Sequence, residues 1–339
     1  MSQLALFSSK EMKKTLIFWL AQIFTVSSIF AQSAEITITP RFEGELTKPQ
    51  SEKADIGFGM SSLYAFVDGN FRNENFSYSA SLHLLSKDPA SLYNYKAPFT
   101  NGTWLDWAYL SYDGELFGGS LGKMVLNTGL FEMDANDVDC YTPVASSVWN
   151  SMITYQTGAA LRFTPWETQT LEVQFLTSPL MEKLSDKDFA WSVAWRGEFG
   201  RFSTYWALNQ QRYTDLAEEN GHGFVTMVGF GNCLTLDHFK ITLDVTNGGY
   251  GNFSDWSRSE FSARLDWFSN DMFKAGAVVG LQHLEKMMYG FHFQYLPFRN
   301  DTLRIHASLA KRGYDTCDRE LCDYMMASLG VTYNLHINL

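Results

Sequence analysis

Hydrophobic and polar residues alternate along almost the whole chain, and the pattern is clearest in its last segment. The odd positions read Leu329, Val331, Tyr333, Leu335, Ile337 and Leu339, whereas the even positions read Gly330, Thr332, Asn334, His336 and Asn338. An alternation of period two predicts a β-strand with one apolar and one polar face. Because the alternation continues to Leu339, we expect this segment to be tied into a sheet.

The same alternation divides residues 32–339 into about sixteen strands. The clearest apolar faces, each on every second residue, run from Ile36 to Leu46, Phe76 to Leu84, Ile153 to Phe163, Phe189 to Trp195, Phe239 to Val245, Phe261 to Trp267, Tyr289 to Tyr295 and Leu303 to Leu309. The period is less regular near 56–71, 104–125 and 224–233. Because Gly118, Gly119, Gly122 and Gly229 lie in these segments, we expect β-bulges at the glycines.

The connections between the strands alternate between short and long. Short turn sequences such as Asp113-Gly114, Gly200 and Arg299-Asn300 alternate with longer polar segments such as 86–102 and 127–150. This arrangement is typical of bacterial outer-membrane barrels. The sequence therefore predicts an all-β protein, a closed antiparallel transmembrane β-barrel of about 16 strands with short periplasmic turns and longer outer loops. A soluble β-sandwich or jelly roll, with its apolar faces packed in pairs, is the alternative fold.

The N-terminal segment has the three parts of a secretory signal. Lys13 and Lys14 precede an apolar stretch from Leu16 to Phe30, and small residues follow at Ala31, Ser33 and Ala34. This order predicts a signal peptide over residues 1–31, with cleavage after Ala31 or, alternatively, after Ser33. The transmembrane β-barrel would then comprise residues 32–339, and the protein would be exported from a bacterial cytoplasm.

Composition narrows the classes of function. The chain is 45% hydrophobic and 16% aromatic, and after residue 31 it has no apolar run long enough for a spanning helix. The formal net charge of −11 disfavours a nucleic-acid partner, because binding to phosphate backbones needs clustered Lys and Arg.

The connection 127–150 joins the fifth and sixth predicted strands and is therefore the third outer loop. It mixes apolar residues with the acids Glu132, Asp134, Asp137 and Asp139. We expect it to fold back into the lumen and narrow a pore, since rings of charge set ion preference. The basic residues expected on the pore wall are Lys123, Arg162, Arg41, Arg196, Lys240, Arg264, Lys274 and Arg304. Lys123 and Arg162 flank the loop in sequence, so they are the bases most expected to meet its acids. Solvated wall charges that pair with each other are the alternative interpretation.

These features resemble general porins and the related phosphate-selective-type porins of Gram-negative outer membranes. The resemblance rests on the export signal, the strand count, the turn alternation, the terminal strand and the stretch from Leu121-Gly122-Lys123 to Gly129-Leu130-Phe131-Glu132. It implies a channel for small hydrophilic solutes, usually a homotrimer, in contact with outer-membrane lipid and lipopolysaccharide, with no cofactor. The chain departs from the pattern by ending in Leu339 rather than an aromatic residue and by lacking a repeated lumenal arginine series.

Two other functions compete with a porin. The loops could be the working surface of an adhesin or receptor barrel. A barrel enzyme would need a nucleophile, a His base and an orienting group, and His83, His222 and His306 are the candidate bases. The histidines show no metal-ligand spacing, so we expect no metal site.

The four cysteines allow one local disulfide. Cys317 and Cys322 lie five residues apart before the last strand, and an exported protein meets oxidising conditions. We expect a bond between them; a metal pair is the alternative, although two thiolates make an incomplete site. Cys140 and Cys233 belong to opposite ends of the predicted barrel, so we expect no bond between them.

Overall fold

A computed structural model describes residues 31–49, 53–59, 61–86, 105–135, 137–142, 148, 154–178, 189–215, 221–247, 259–282, 286–312 and 324–339. The predicted signal peptide before Ala31, and Cys317 and Cys322, lie outside the described residues. Strands account for 78% of the described chain. Within these ranges, the structure contains no helix of the length and hydropathy that membrane crossing requires.

The strands form one closed antiparallel barrel. They are β1 Ala31–Pro49, β2 Asp55–Phe58, β3 Ser62–Phe71, β4 Phe76–Ser86, β5 Leu105–Asp113, β6 Phe117–Val125, β7 Tyr155–Trp166, β8 Gln169–Thr177, β9 Phe189–Phe199, β10 Phe202–Asp215, β11 Gly221–Thr235, β12 Phe239–Thr246, β13 Glu260–Asn270, β14 Phe273–Gln282, β15 Lys286–Tyr295, β16 Leu303–Arg312, β17 Tyr324–Tyr333 and β18 Leu335–Asn338. Two short 3-10 turns, η1 Phe131–Asp134 and η2 Asp137–Asp139, follow β6. The barrel has sixteen wall strands and two additional segments, because β2 and β3 both pair with β1 on one side and β17 and β18 both pair with it on the other.

The first and last strands close the barrel. Arg41 of β1 pairs with Ser62 of β3 on one side and with Thr332 of β17 on the other. The backbone N–H of Leu339 donates to the carbonyl oxygen of Ala34 at 2.8 Å. A closed ladder leaves no unpaired strand edge, which is the condition for a sheet to cross a membrane. The predicted fold class and the predicted tie of the last segment are therefore confirmed.

Large exposed apolar side chains point away from the barrel axis. Leu161 is 72% exposed and Phe42 is 71% exposed, and both lie on strand faces that point outward. On β15, the exposed residues Met287, Phe291 and Phe293 alternate with Met288 and Gln294, which are buried. A soluble sandwich would bury such faces, whereas a barrel in lipid exposes them, so this pattern excludes the alternative fold.

The expected bulges at the glycines are absent. Strand β6, which holds Gly118, Gly119 and Gly122, pairs with β7 without a shift from Phe117 to Val125. Gly229 lies in an unbroken ladder between β10 and β11. The register shifts that the ladders contain lie elsewhere, for example between Phe163 and Trp166. The glycines mark close approaches of other backbone, which sequence parity does not distinguish from a bulge.

The outward face predicts how the barrel responds to charge. Leu161→Arg places a cation in the middle of the outward face of β7, and we expect it to destabilise the folded barrel in lipid by ~2–4 kcal/mol. The measurement is urea unfolding of the protein refolded into phospholipid vesicles. Phe199→Arg, at the turn between β9 and β10, is the matched control and should cost about 0–1 kcal/mol, because arginine near the interface reaches water. Equal costs for the two variants would contradict the assignment of the lipid face.

Candidate pore constriction

The chain does not leave the barrel after β6 but continues inside it. Residues 126–135 and 137–142, here called the inward segment, lie against side chains that face the barrel axis. The N–H of Leu126 donates to the carbonyl oxygen of Thr154, at the start of the next strand, at 2.8 Å. Leu126, Leu130 and Val138 are at most 2% exposed. A loop between neighbouring strands would be exposed if it extended beyond the barrel, so this burial places it within the lumen.

Asn127 fixes the beginning of the inward segment to two wall strands. Its N–H donates to Gln174 Oε1 at 2.8 Å, and its Nδ2 donates to Glu172 Oε1 at 2.7 Å, both on β8. From β10, Tyr205 Oη donates to Asn127 Oδ1 at 2.9 Å and Asn209 Nδ2 donates to its carbonyl oxygen at 3.2 Å. Asn127 is therefore bound through both backbone and side chain.

An apolar cluster holds the next part of the inward segment. It consists of Met124, Leu126, Leu130, Val148, Ala160, Leu176, Ala190 and Met227, with Tyr109 and Met133 packed against it. Four of these residues, Ala160, Leu176, Ala190 and Met227, belong to the inward faces of β7, β8, β9 and β11. This part of the wall is apolar because it is covered by the segment, whereas sequence parity predicts polar residues toward a lumen.

Two glycines allow the segment to touch the wall backbone. Gly129 has a φ of +76°, a left-handed conformation that favours glycine. A Cβ on Gly229 of β11 would lie 1.9 Å from the carbonyl oxygen of Thr128. No side chain fits between these backbones.

Asp244 of β12 binds the start of η1. Its Oδ1 accepts the N–H of Phe131 and its Oδ2 accepts the N–H of Glu132, both at 2.9 Å. A carboxylate in this position satisfies two backbone donors that a helical turn leaves open. Glu132 and Glu260 are buried around the same small cleft. Glu132 therefore lies between segment and wall rather than on the open lumen.

Asp134 forms the exposed ion pair of the inward segment. Arg196 of β9 donates from Nη1 and Nη2 to the two carboxylate oxygens of Asp134, at 2.9 and 2.8 Å. The guanidinium also lies 3.5 Å from the ring centroid of Tyr205. Both charged side chains are more than 40% exposed. A bidentate pair with an aromatic support has little freedom to rotate, so its position at the lumen is defined.

The far end of the inward segment reaches the opposite wall. Arg41 of β1 donates to the carbonyl oxygens of Val138 and Cys140 at 3.2 and 2.8 Å, and Arg304 of β16 pairs with Asp139. Arg41 also pairs with Glu43 at 2.5 Å. The segment is therefore held at β8 to β12 and again at β16 and β1, and it crosses the interior between them.

Tyr141 packs among charged groups at this far contact. Its ring lies 5.0 Å from the guanidinium carbon of Arg41 and 4.5 Å from the ring of His306. Burial raises the pKa of the Tyr141 phenol to about 12, so the hydroxyl stays neutral at any physiological pH.

The basic wall residues that contact the inward segment are Arg41, Arg196 and Arg304. The sequence instead favours Lys123 and Arg162. Arg162 donates to Asp113 Oδ1 at 2.7 Å and lies 3.5 Å from Glu172, and both acids belong to the wall. Lys123 Nζ donates to the carbonyl oxygen of Leu105. Proximity in sequence misleads because the segment runs along β8 to β12, where Asp134 meets Arg196, and then reaches β16, where Asp139 meets Arg304.

The remaining expected residues lie on the wall or outside the described side chains. Arg264 pairs with Asp266 at 3.1 Å and Lys274 pairs with Asp301 at 3.2 Å. Lys240 lies in register with Asp266 on the neighbouring strand. The backbone of Asp137 belongs to η2, but its side chain lies outside the described part.

Beside the inward segment, the barrel retains an open cavity of about 1030 Å³. Its lining comes from β1, from β3 to β10, from the end of β18 with Leu339, and from the segment itself. Hydroxyl, amide and charged groups are prominent there, among them Ser111, Ser120, Gln174, Arg162 and Arg196. The cavity therefore lies next to the first half of the inward segment, which also contacts β8 to β12, whereas residues 138–140 contact β1 and β16.

The histidines do not form an accessible hydrolytic site in the described chain. His306 lies 3.3 Å from Thr332 Oγ1 and 3.5 Å from Glu43, the order of a nucleophile, base and orienting group. These three residues are at most 3% exposed, so no solute reaches them. His83 lies 3.6 Å from Asp106, and the side chain of His222 lies outside the described residues.

Among the described residues, the structure shows neither a metal site nor a disulfide. Among the residues that the structure describes, no group of three or more His, Cys, Asp or Glu side chains is arranged to hold a metal ion. Cys233 is buried on β11, and no disulfide joins it to Cys140.

Comparison with known proteins identifies the architecture. No protein-family model matches the chain, and no curated protein matches it in sequence. Solved structures do match: an engineered variant of the Rh. blastica porin has a TM-score of 0.55 at 12% identity, covering 88% of this chain and 100% of that one. The chain has the fold of outer-membrane porins.

Two further structures share this porin fold. The outer membrane channel DcaP of Acinetobacter baumannii has a TM-score of 0.61 at 11% identity, over 89% of this chain and 97% of that one. OmpT, an outer membrane protein of Vibrio cholerae solved in a trimer form, has a TM-score of 0.55 at 10% identity, over 89% and 99%. Matches of 10 to 12% identity establish the fold.

The contact between the inward segment and β11 predicts the effect of one methyl group. Gly229→Ala places a Cβ against the carbonyl of Thr128, so we expect the segment to shift from the wall and the barrel to lose ~1–3 kcal/mol of stability. The measurements are the thermal unfolding midpoint in detergent and protease cleavage mapped within residues 126–142 of the folded barrel.

Gly44→Ala is the matched control for this glycine. The nearest atom to a Cβ at Gly44 is 4.0 Å away, so this variant should unfold and resist protease like the parent protein. Identical behaviour of the two variants would show that the segment does not contact β11.

Proposed function

We propose that the chain is an outer-membrane porin that forms a water-filled channel for passive diffusion of small hydrophilic solutes and ions. The observation that carries this proposal is the inward segment, which is bound to both sides of a closed sixteen-stranded barrel and leaves a polar cavity beside it. A barrel of this strand number leaves room for an aqueous path. A constriction built from a chain segment then limits the size of the solute.

The described residues support a passive mechanism. A hydrated solute enters the cavity, passes the side of the inward segment that carries Asp134, and leaves at the other end. Several charges along this path are paired with neighbours, as in Arg196 with Asp134 and Arg162 with Asp113. Paired groups exchange hydrogen bonds with a passing solute without binding an ion permanently. Diffusion requires no cofactor, energy source or catalytic group, and the structures compared above are porins and channels rather than enzymes.

The proposal includes the location and assembly of the protein. The signal peptide predicted over residues 1–31 would direct export, and residues 32–339 would form the barrel in the outer membrane of a Gram-negative bacterium. The exposed apolar faces suit contact with outer-membrane lipid and, in the outer leaflet, lipopolysaccharide. A homotrimer is the proposed assembly, by analogy with the trimer form of the similar OmpT structure.

The charge of the cavity favours cations. Among the described residues, five acidic side chains, Glu35, Asp68, Asp113, Asp134 and Glu172, and two basic ones, Arg162 and Arg196, line the cavity. An excess of carboxylates raises the local concentration of cations and lowers that of anions.

Planar-bilayer recording of the purified, refolded protein tests the channel. We expect steady ohmic steps, because the cavity is lined by a fixed wall and the segment is anchored at several points. The lipid-to-water partition and circular dichroism of the same sample establish that the barrel is folded. A folded barrel that gives no conductance would overturn the proposal and favour an adhesin or receptor.

Charge neutralisation in the inward segment tests its role as the constriction. Asp134→Asn removes an exposed carboxylate and leaves Arg196 without its partner, so the reversal potential in a salt gradient should move toward anion selectivity. Glu132→Gln is the matched control from the same turn. Because Glu132 is only 7% exposed, we expect its neutralisation to change selectivity less than that of Asp134. The reverse order of the two effects would remove Asp134 from the ion path.

A further inference from the structure

The far end of the inward segment covers a group of buried charged residues on the inner wall. Arg41 and Glu43 of β1 and His306 of β16 are at most 3% exposed, and Tyr141 of the segment is 4% exposed. The ring of Tyr141 lies 4.5 Å from that of His306. Charged side chains are almost never fully buried unless they are paired. The far anchor, as it is called here, consists of Arg41, Glu43, Asp139, Tyr141, Arg304 and His306.

The charges of the far anchor balance when His306 is neutral. Arg41 pairs with Glu43 at 2.5 Å, and Arg304 pairs with Asp139. The site therefore holds two cations and two anions. A proton on His306, which is only 1% exposed, would add a third cation. An unbalanced charge in a place that water does not reach is costly.

The carboxylate next to His306 is already paired with an arginine. His306 Nδ1 lies 3.5 Å from Oε2 of Glu43, the same oxygen that Arg41 contacts. A protonated His306 would therefore compete with Arg41 for Glu43. Because Arg41 also donates to the carbonyl oxygens of Val138 and Cys140, this competition acts directly on the inward segment.

On the other strands of the described chain, the groups that face His306 are uncharged or basic. On β17, the hydroxyl oxygen of Thr332 lies 3.3 Å from His306 Nε2. Arg304 is a cation on the same strand as His306, and His292 of β15 also acts on it. The rings of His292 and Tyr141 are 5.6 Å apart, so both histidines contact the same tyrosine. A proton on His292 would add to the positive charge around His306.

The wall leaves space for the imidazole of His306, and Tyr141 covers it. A Cβ on Gly330 of β17 would lie 2.5 Å from Cε1 of His306. The ring therefore occupies the space that a side chain at position 330 would need. Tyr141 packs over the ring from the inward segment. Hydration of the imidazole thus requires that Tyr141 move away from the wall.

The far anchor is separate from the contacts that hold the first half of the inward segment. That half is bound through Asn127 to β8 and β10 and through Asp244 to β12, and its apolar cluster packs against β7 to β11. Residues 137–142 are instead bound to β1 and β16. Because the two sets of contacts involve different strands, the second can break while the first is kept.

We propose that the far anchor is a proton-operated latch, in which a proton on His306 releases residues 137–142 from β1 and β16 and widens the channel. The inference rests on the proposed channel, because it describes how that channel is regulated. The imidazole is buried and neutral in the attached state, whereas in the released state it meets lumen water, which stabilises its charged form. The attached state is therefore favoured above about pH 6.5, the ordinary pKa of imidazole, and the released state gains below it.

The thiol of Cys140 measures release without requiring an open pore. Cys140 lies within residues 137–142 and is partly buried. The full-length, detergent-folded protein is reacted with dithiodipyridine at about pH 7.5 and about pH 5.5, a range in which histidine titrates, and the modified cysteine is located by peptide mass. Each rate is divided by the rate for glutathione at the same pH, which removes the titration of the thiol itself. We expect this ratio to rise about tenfold on acidification, the largest shift that one imidazole of pKa about 6.5 produces over this range.

Substitutions of two histidines distinguish the latch from a general effect of acid. His306→Gln takes up no proton in this range, so its Cys140 ratio should be the same at both pH values. His336→Gln is the matched control, because His336 is 44% exposed and pairs with Glu35 at 2.9 Å where β1 meets β18; it should keep the rise. His306→Lys places a permanent cation in the far anchor and should expose Cys140 at both pH values. If His306→Lys does not fold, the two glutamine variants still make the comparison.

Planar-bilayer recording separates the latch from the channel. We expect a larger conductance at the acid pH in the parent protein and equal conductances at the two pH values in His306→Gln. Release of Cys140 in a folded barrel that does not conduct would support the latch and contradict the channel. Conductance with a Cys140 ratio that does not change with pH would overturn the latch and leave the channel standing. A pH response that persists in His306→Gln would also overturn the latch and would assign the response to His292 or to the buried carboxyl groups of Glu132, Asp244 and Glu260.

Discussion

The structure depends on one constraint, the satisfaction of every backbone N–H and C=O group in a medium without water. A hydrocarbon environment offers no hydrogen bonds, so a sheet can cross it only when its first and last strands pair with each other. Here Arg41 of β1 lies in register with both Ser62 and Thr332, and the backbone of Ala34 pairs with that of Leu339. Closure then determines the chemistry of the two faces. The outside must be apolar, and the inside is left to hold water or protein.

The same constraint applies to the inward segment, which has left the ladder and must find other partners. Asn127 accepts and donates four hydrogen bonds to β8 and β10, Asp244 accepts two backbone N–H groups, and Arg41 donates to two carbonyl oxygens. Side chains of the wall therefore supply what strand pairing supplies elsewhere. Burying polar backbone without such partners would cost ~1–3 kcal/mol for each group. This requirement explains why charged and amide residues cluster where the segment passes.

Strand positions follow from the sequence because period two is a local property. The face of Leu161 or Phe293 is set by its parity and by the lipid outside, so it can be predicted without knowing any partner. The contacts of the inward segment are different. Nothing near Arg196 in sequence marks it as the partner of Asp134, which is 62 residues away, and Arg162 has the same chemical character with other neighbours. Pairing across a lumen depends on barrel closure and on the path of the loop, and neither is encoded in a local pattern.

Parity also fails to predict which inward-facing residues are polar where the interior is filled by protein rather than by water. Ala190 and Met227 face inward but are covered by the segment, and Trp107 faces inward beside the open cavity. Gly229 on β11 lets the segment approach the wall backbone, and Ala160 and Ala190 on β7 and β9 pack against its apolar side chains. The distribution of residue size around the inner wall therefore decides where the segment can pack against the wall.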